Sequence, residues 1–565
     1  MSLPPQPVLS VRNLQLFFAG TAPFIAVKDL SFDLYSGKTL AIVGESGSGK
    51  SLTALAMMGL LPATAQVKGT VTLRVNGQST ELYSTAPPDW QRLRGEKISM
   101  VFQEPMSALN PVMKAGKQLR ESILAHKKIT KKEAEKLAIA WLEKVQLPEP
   151  GKLYHRYPHE LSGGQKQRVM IAMAMCHHPA VLIADEPTTA LDVTVQQEVI
   201  SVMRTLQQEN RTSLIFITHD LALAAAMADD VLVMYKGDVM EYGPAKEVLT
   251  RPSHPYTKAL LACRPSVHEK NKRLPVVSDF WQPENDAIAT TVPAPETPSP
   301  ATADDTVILK TENLKVWFAQ ETNILGRATA YYKAVNDVSF ELKKGEVLGL
   351  VGESGCGKST LSRSLMGLIP VHEGHAWFMG KDLATIDRSD WDLVRRQMQM
   401  VFQDPFSSLN PRLTVGQILT EPLQVHDIVP AGQRKQEVLR LLDAVQLPGS
   451  SFNRYPHQFS GGQRQRIGIA RALSLRPQLL ICDESVSALD VSIQAQILNL
   501  LKDLQQAFDL TYLFISHDLS VVHYLCDRVM VMQKGEIVES GSADDVLLHP
   551  QNAYTQKLVH AVISL

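Results

Sequence analysis

The sequence predicts an α/β fold built twice, each copy a mostly parallel sheet flanked by helices with a helical subdomain attached. Three observations lead there. The chain is 565 residues long, beyond one ordinary domain at about 100–200 residues each. Five phrases return further along it in the same order, the mark of an internal duplication. Within each copy, short apolar runs of strand length alternate with helical patterns, as in units whose parallel strands are joined by crossover helices.

The repeated phrases frame the two copies. GESGSGKS at 44–51 returns as GESGCGKS at 352–359, and VFQEPMSALNP at 101–111 as VFQDPFSSLNP at 401–411. RYPHELSGGQKQR starts at Arg156 and recurs as RYPHQFSGGQRQR from Arg454, 298 residues on. The same spacing relates IADEPTTALDV at 183–193 to ICDESVSALDV at 481–491, and IFITHDL at 215–221 to LFISHDL at 513–519. The copies accordingly span residues 1–266 and 307–565. Residues 267–306 are rich in Pro, Ala and Thr and poor in aliphatic periodicity, which predicts a stiff, largely disordered, mildly acidic linker. The alternative is that it docks through Phe280 and Trp281.

Taken in order, the apolar runs at 40–43 and 347–351 are strands ending in a Gly-rich turn, with helices opening at Ser51 and Ser359. Further strands are predicted at 181–184 and 214–217, and at 479–482 and 512–515. Thr130-x-x-Glu133 is a capping box. It opens a helix whose Leu137, Trp141 and Val145 fall at i, i+4 and i+8. Core packing of a helical subdomain is the expectation for that stripe, and a partner groove the other reading.

Composition narrows the class. An apolar fraction of 44% with 20% charged residues excludes wholesale disorder. Lys plus Arg number 57 against 58 Asp plus Glu, so the basic footprint of a nucleic-acid binder is missing, and no nucleic-acid partner is expected. The five cysteines, at 176, 263, 356, 482 and 526, form no CxxC pair, which argues against a disulfide framework or a metal cage and fits a reducing compartment. The N-terminus lacks the pattern of a secretory signal. No uninterrupted apolar run reaches about 18 residues, so the chain is expected not to span a membrane.

GxxxxGK[ST] is a phosphate cradle. Its glycines let successive backbone N–H groups wrap phosphates, the Lys reaches the β/γ oxygens, and the hydroxyl takes Mg²⁺. The helix starting there points its positive end at the nucleotide. Lys50, Ser51, Lys358 and Ser359 are thus expected to bind ATP–Mg²⁺. Each copy also ends an apolar strand in an acidic pair, Asp185–Glu186 and Asp483–Glu484. The first carboxylate of such a pair can hold the metal, and the second orients and deprotonates the attacking water; the rival reading is a helix cap. His219 and His517 follow apolar strands 33 residues after each glutamate, a duplicated placement that favours a γ-phosphate contact over an ordinary satisfied histidine. The Ser-Gly-Gly of LSGGQ and FSGGQ is a further backbone anion site at a helix start. One unit already has a cradle, so this second one requires either another nucleotide or the same nucleotide reached from a partner.

With these motifs together the chain resembles a tandem pair of P-loop NTPase domains of the ATP-binding cassette family, and the likeness covers nearly everything outside the linker. In that family two domains pair head to tail around two ATP molecules. The resemblance implies that the loop Gly44, Ser46, Gly47, Gly49, Lys50, Ser51 faces Ser460, Gly461 and Gly462. The loop Gly352, Ser354, Gly355, Gly357, Lys358, Ser359, Thr360 would face Ser162, Gly163 and Gly164. Gln103 and Gln403 match the glutamine that senses Mg²⁺ and the γ-phosphate near the transporter contact. The implied metal set is therefore Ser51, Gln103 and Asp185, and again Ser359, Gln403 and Asp483. Asp192 and Asp490 match the loop linking the two sites, and Phe18 and Phe318 the aromatic that stacks on adenine. Both copies keep the full set, which predicts two competent sites. Ser485 stands where the family usually has Pro, as at Pro187, and tuning at most is expected. Cys356 is a tolerated loop substitution or, on the other reading, a redox handle.

FQEPMSALNP, FQDPFSSLNP and SHPYTKALLA at 253–262, with the weaker copy HPQNAYTQKL at 549–558, resemble the oligopeptide and dipeptide importers. Members with separate subunits often carry a four-cysteine extension for an iron–sulfur cluster after that segment. Only Cys263 lies there in this chain, so no cluster is expected. The resemblance implies a peripheral motor on the cytoplasmic face of a bacterial inner membrane. It would grip two integral-membrane permeases through the grooves near Gln103 and Gln403, with a periplasmic or lipid-anchored solute-binding protein delivering the solute. A soluble tandem-cassette translation factor is the rival class, but its linker is a long charged helical pair. DNA-repair cassettes need zinc cysteines or coiled-coil insertions, and export is a further rival within transport.

Overall fold

The computed structural model describes residues 6–19, 23–84, 88–103, 108–189, 191–265, 273–282, 287–288, 305–322, 328–487 and 489–561. The chain divides into two compact units. One takes residues 1–262, 277–290 and 563–565, and the other 263–276 and 291–562.

In the first unit a six-stranded sheet runs, edge to edge, through Asp238–Pro244, Asp230–Tyr235, Thr39–Gly44, Ser213–Thr218, Val181–Asp185 and Ile98–Val101. All its pairings are parallel except that of the Asp238–Pro244 edge. The second unit repeats the order from Glu536–Ser542 through Arg528–Gln533, Val347–Val351, Thr511–Ile515 and Leu479–Asp483 to Met398–Val401. Parallel strands covered on both faces read as continuous apolar runs; Val181–Asp185 and Leu479–Asp483 are buried at every position. The strand at 347–351 falls where the sequence put it and the others extend the runs read from sequence by a residue at one or both ends, and the helices open at Lys50 and Lys358, one residue before the expected Ser. The cause is the preceding glycine. Gly49 and Gly357 hold φ of 102° and 114°, a left-handed turn that side chains disfavour, so helical geometry begins at the lysine.

The parallel arrangement aligns the carboxyl ends of neighbouring strands. Along one sheet edge of the first unit they lead into residues 44–51, 219, 185–186 and 103 in turn, and along that of the second into 352–359, 517, 483–484 and 403. This is the edge at which open α/β sheets hold ligands.

Each unit also has a four-stranded sheet that the apolar runs did not foretell. Phe24–Leu34, Leu9–Phe18, Ala65–Val75 and Gln78–Glu81 form the first, and Ala328–Lys343, Val307–Thr322, Glu373–Phe378 and Lys381–Asp382 the second. The helical subdomain of the first unit is built from Ala115–His126, Lys131–Lys144 and Gly163–Met175, which share one core with Leu119, Ala134, Ala138 and Val169. Thr130 and Glu133 form the expected capping box. Trp141 and Val145 are buried in that core while Leu137 is exposed. A spacing of four residues drifts about 40° per step from a 3.6-residue turn, so the stripe leaves the buried face at one end.

Part of the stretch read as a linker is folded. Residues 277–280 form a helical turn, and Trp281–Gln282 pairs antiparallel with Ala287–Ile288. Trp281 is buried against Tyr235, Tyr256 and His254 with ring centroids at 5.0, 5.5 and 5.7 Å. A large aromatic removed from water on three ring neighbours anchors chain that lacks aliphatic periodicity. The docking reading therefore holds for this stretch. The rest of 267–306 lies mostly outside the described residues. Among the described residues no helix is long and apolar enough to cross a membrane.

Candidate functional site

In the first unit the Lys50 ammonium is buried and donates to the carbonyl oxygens of Gly44 and Glu45 at 2.7 and 2.9 Å. The Ser51 hydroxyl donates to Asp185 Oδ1 at 3.1 Å. The second unit repeats both arrangements, with Lys358 on Gly352 and Glu353 at 2.7 and 2.9 Å and Ser359 on Asp483 at 3.0 Å. Ser46, Gly47, Ser354 and Gly355 are exposed at the crown of the turns, and Thr360 is half-buried on the helix that follows.

The acidic pairs split into two environments. Asp185 ends its strand and is buried, and that burial, with the neighbouring Glu186 charge, pushes its carboxyl up to about 6 despite the Ser51 hydrogen bond. Asp483 is raised for the same reasons. Glu186 and Glu484 instead take left-handed backbone, φ 46° and 48°, uncommon for a side-chain-bearing residue and costly unless the surroundings enforce it. Their backbone N–H groups donate to Ile217 and Ile515 at 2.9 Å, which fixes the turn. Glu186 Oε2 accepts from Gln103 Nε2 at 3.1 Å and from the Thr189 hydroxyl at 2.9 Å, with His219 Nδ1 at 3.3 Å. Burial would raise its pKa, but the His219 hydrogen bond and charge, helped by Thr189, outweigh it and bring the group to about 2. Glu484 accepts from Gln403 at 2.7 Å with His517 at 3.7 Å. Its pKa is likewise lowered against burial by His517, and His517 is raised against burial by Glu484.

Within each unit the structure thus brings together the P-loop Lys and Ser, the acidic pair, the His and the Gln. Ser162 and Ser460 sit elsewhere in their units, capping the helices Gly163–Met175 and Gly461–Leu473; each hydroxyl accepts from the N–H three residues on, in a capping box. Gly163 and Gly461 are exposed at these caps. Gly164 and Gly462 are buried, and a Cβ on either would lie within 2.3 Å of Val195 or Ile493. The turn is thereby packed directly on the helix that Asp192 caps through Val195 N at 3.0 Å; Asp490 holds the N-cap in the second unit.

Phe18 stacks on Phe24, with centroids 5.1 Å apart, across the strand pairing that joins them. Phe318 pairs in register with Tyr332, both exposed, and the Tyr332 hydroxyl donates to the P-loop carbonyl of Gly355 at 3.2 Å. The aromatic element is therefore a cross-strand pair in each copy. Sequence reasoning missed Phe24 and Tyr332, which lie beyond a hairpin, and Thr189, whose only signal was a hydroxyl three residues after the glutamate.

All five cysteines are buried and none is in a disulfide. Burial pushes the Cys356 thiol up, against the pull of Lys358. A buried, protonated thiol is a poor nucleophile, which favours the tolerated-substitution reading over the redox handle. The native chain is expected to react with no equivalent of a thiol reagent at neutral pH, whereas the denatured chain titrates all five.

Comparison with known proteins bears directly on this constellation. The ABC transporter family matches residues 27–189 and 335–487. The oligopeptide/dipeptide transporter C-terminal region matches 240–285 and 538–565. The glutathione import ATP-binding proteins of Shigella sonnei and Escherichia coli K12 are each 45% identical over 564 residues, 98% of this chain and 89% of theirs. A dimeric ATP-binding cassette solved with ADP and Pi bound is 27% identical over 42% of this chain and 98% of that one, with a TM-score of 0.38.

Proposed function

The chain belongs to the ABC transporter family, and from that membership we propose that it is the ATP-hydrolysing motor subunit of a bacterial importer for glutathione or short peptides. The observation carrying the ATPase half is that both units assemble the same Lys–Ser–Asp–Glu–His–Gln set on one sheet edge. The importer half draws on the two matched stretches of the peptide-transporter C-terminal region and on the import proteins of similar sequence.

In this reading Lys50 and Lys358 meet the β- and γ-phosphates of ATP. Mg²⁺ would be held by Ser51, Asp185 and Gln103, and by Ser359, Asp483 and Gln403. The buried hydroxyl–carboxylate pair fits a divalent cation, because Asp185 carries a charge that burial disfavours and a cation neutralises it. When bound, the ion neutralises charge on the phosphate oxygens. Glu186 and Glu484 are kept ionised by His219 and His517, so each can accept a proton from a water aligned with the γ-phosphate. Gln103 and Gln403 hold the same carboxylate oxygen and orient it. Phe18 and Phe318 offer ring faces for adenine. As the family resemblance implies, Ser162, Gly163 and Gly164, and likewise Ser460, Gly461 and Gly462, are further backbone anion sites for nucleotide. From the cytoplasmic face of the inner membrane, hydrolysis by this chain drives two integral-membrane permease subunits, and a periplasmic or lipid-anchored protein supplies the solute.

Uptake by the host bacterium tests this. Deleting the gene should abolish accumulation of labelled glutathione or of labelled di- and oligopeptides, and restoring the wild-type chain should return it. Unchanged uptake of all three would overturn the importer reading.

A further inference from the structure

The segment matched as the peptide-transporter C-terminal region reaches the second phosphate loop. Tyr554 is nearly buried, and its hydroxyl accepts the backbone N–H of Glu353 at 3.1 Å. Glu353 is the residue whose carbonyl, with that of Gly352, takes the Lys358 ammonium at 2.9 Å. The root of the loop is thus held at both ends of one residue, by Lys358 on the carbonyl side and Tyr554 on the amide side.

The tyrosine is itself anchored. Glu539, on the edge strand Glu536–Ser542, accepts the backbone N–H groups of Gln551 and Asn552 at 2.8 and 3.2 Å. Asn552 Oδ1 accepts the N–H of Tyr554 at 2.8 Å. That edge strand pairs with Arg528–Gln533, which in turn pairs with the P-loop strand Val347–Val351. The segment is therefore clamped to the sheet carrying the loop that its tyrosine touches. The anchor is duplicated: Glu241 accepts the N–H groups of Ser253 and His254 at 2.8 and 3.2 Å, and Tyr256 lies buried in the same place 298 residues earlier.

We propose that Tyr554 is a positioning residue for the second P-loop, and that the C-terminal segment sets through it how tightly that loop holds nucleotide. When phosphate competes for the Lys358 ammonium, the lysine's grip on the loop carbonyls loosens, and the Tyr554 hydroxyl remains to hold the Glu353 peptide in the shape that aims the following N–H groups inward. The proposal rests on the ATPase reading above.

Its test is calorimetric titration of the full chain with ATP in EDTA, so that nothing is hydrolysed, for wild type and Tyr554→Phe. One of the two dissociation constants should rise about fivefold, the factor that one hydrogen bond of ordinary net strength provides, with the other constant unchanged and the Tm lowered by at most a few degrees, since the free chain loses the same bond. Hydrogen exchange by mass spectrometry should quicken in the peptide covering residues 352–359. Glu539→Gln keeps the hydroxyl but slackens its anchor, and should move the same constant and the same peptide by less; it supplies the reading if Tyr554→Phe does not fold. Unchanged affinity and exchange in both variants would overturn the proposal, as would equal weakening of both sites together with a lowered Tm, which marks a purely structural tyrosine. If the wild-type chain bound no ATP, the underlying ATPase reading would fail instead.

Discussion

Replacing Glu186 and Glu484 together by Gln is expected to lower the ATPase rate by about 10²- to 10⁴-fold, the contribution a positioned general base makes, while ATP binding survives. The amide is nearly isosteric and keeps an oxygen for the Thr189 hydroxyl and the Gln103 amide, but it accepts no proton. The measurement is steady-state phosphate release beside equilibrium ATP binding for wild type and the double variant. A double variant within tenfold of wild type would remove both glutamates from the role of base. The pH dependence sharpens this. The carboxyl of Glu186 is held at about 2, so it stays ionised throughout the weakly acidic range, and wild-type turnover should show no acid-side loss from this group between about pH 7 and about pH 5. Its contribution to stability has the corresponding sign. A depressed carboxyl stabilises the fold above the ordinary glutamate range, and that stabilisation disappears only as pH falls toward 2.

Asp185→Asn should do the opposite to stability and activity at once. In the nucleotide- and Mg²⁺-free chain Asp185 titrates at about 6 against an ordinary 3.8, so the folded chain binds this proton more tightly than the unfolded chain. The penalty is present in full above pH 6 and disappears as pH falls below about 4. A shift of this size corresponds to roughly 3 kcal/mol near neutral pH. Asn removes the buried charge and keeps the shape, so the unfolding transition of the first unit should move up by several degrees at pH 7.5 and by little at pH 4. Hydrolysis should fall steeply, because the substitution takes a carboxylate from the proposed metal set. Calorimetric melts at the two pH values check it. A variant that melts lower at pH 7.5 would mean that the Asp185 carboxylate stabilises the fold, contrary to its burial. A site that strains the resting fold in order to receive a charged ligand is a common form of the trade between stability and activity.

Much of the site was legible because its chemistry leaves few alternatives. A phosphate cradle needs glycines where φ is positive and a lysine at the helix start, and a water-activating carboxylate must follow a strand end. Those demands wrote Lys50, Ser51, Asp185, Glu186 and His219, and their repeats, into short phrases. The parallel sheets were legible through continuous apolar runs. The four-stranded sheets were not. Leu9–Phe18 and Val307–Thr322 pair through several register shifts, each of which flips the alternation on which strand reading depends. Tyr332 and Phe24 were hidden with them. Trp281 was legible only as the alternative to a disordered linker, because a single aromatic can anchor a stretch that carries no periodicity. Tyr554 was visible inside a recognised segment, but only the folded chain brings its hydroxyl to Glu353.

The central claim is that this chain is a motor for membrane permeases, and its most direct test is what accompanies it in the membrane. The tagged full-length chain, purified from native membranes in mild detergent, should bring down two polytopic permease subunits identifiable by mass spectrometry, with or without a solute-binding protein. Recovery of ribosomal proteins in their place would contradict the account and favour a tandem cassette acting in translation.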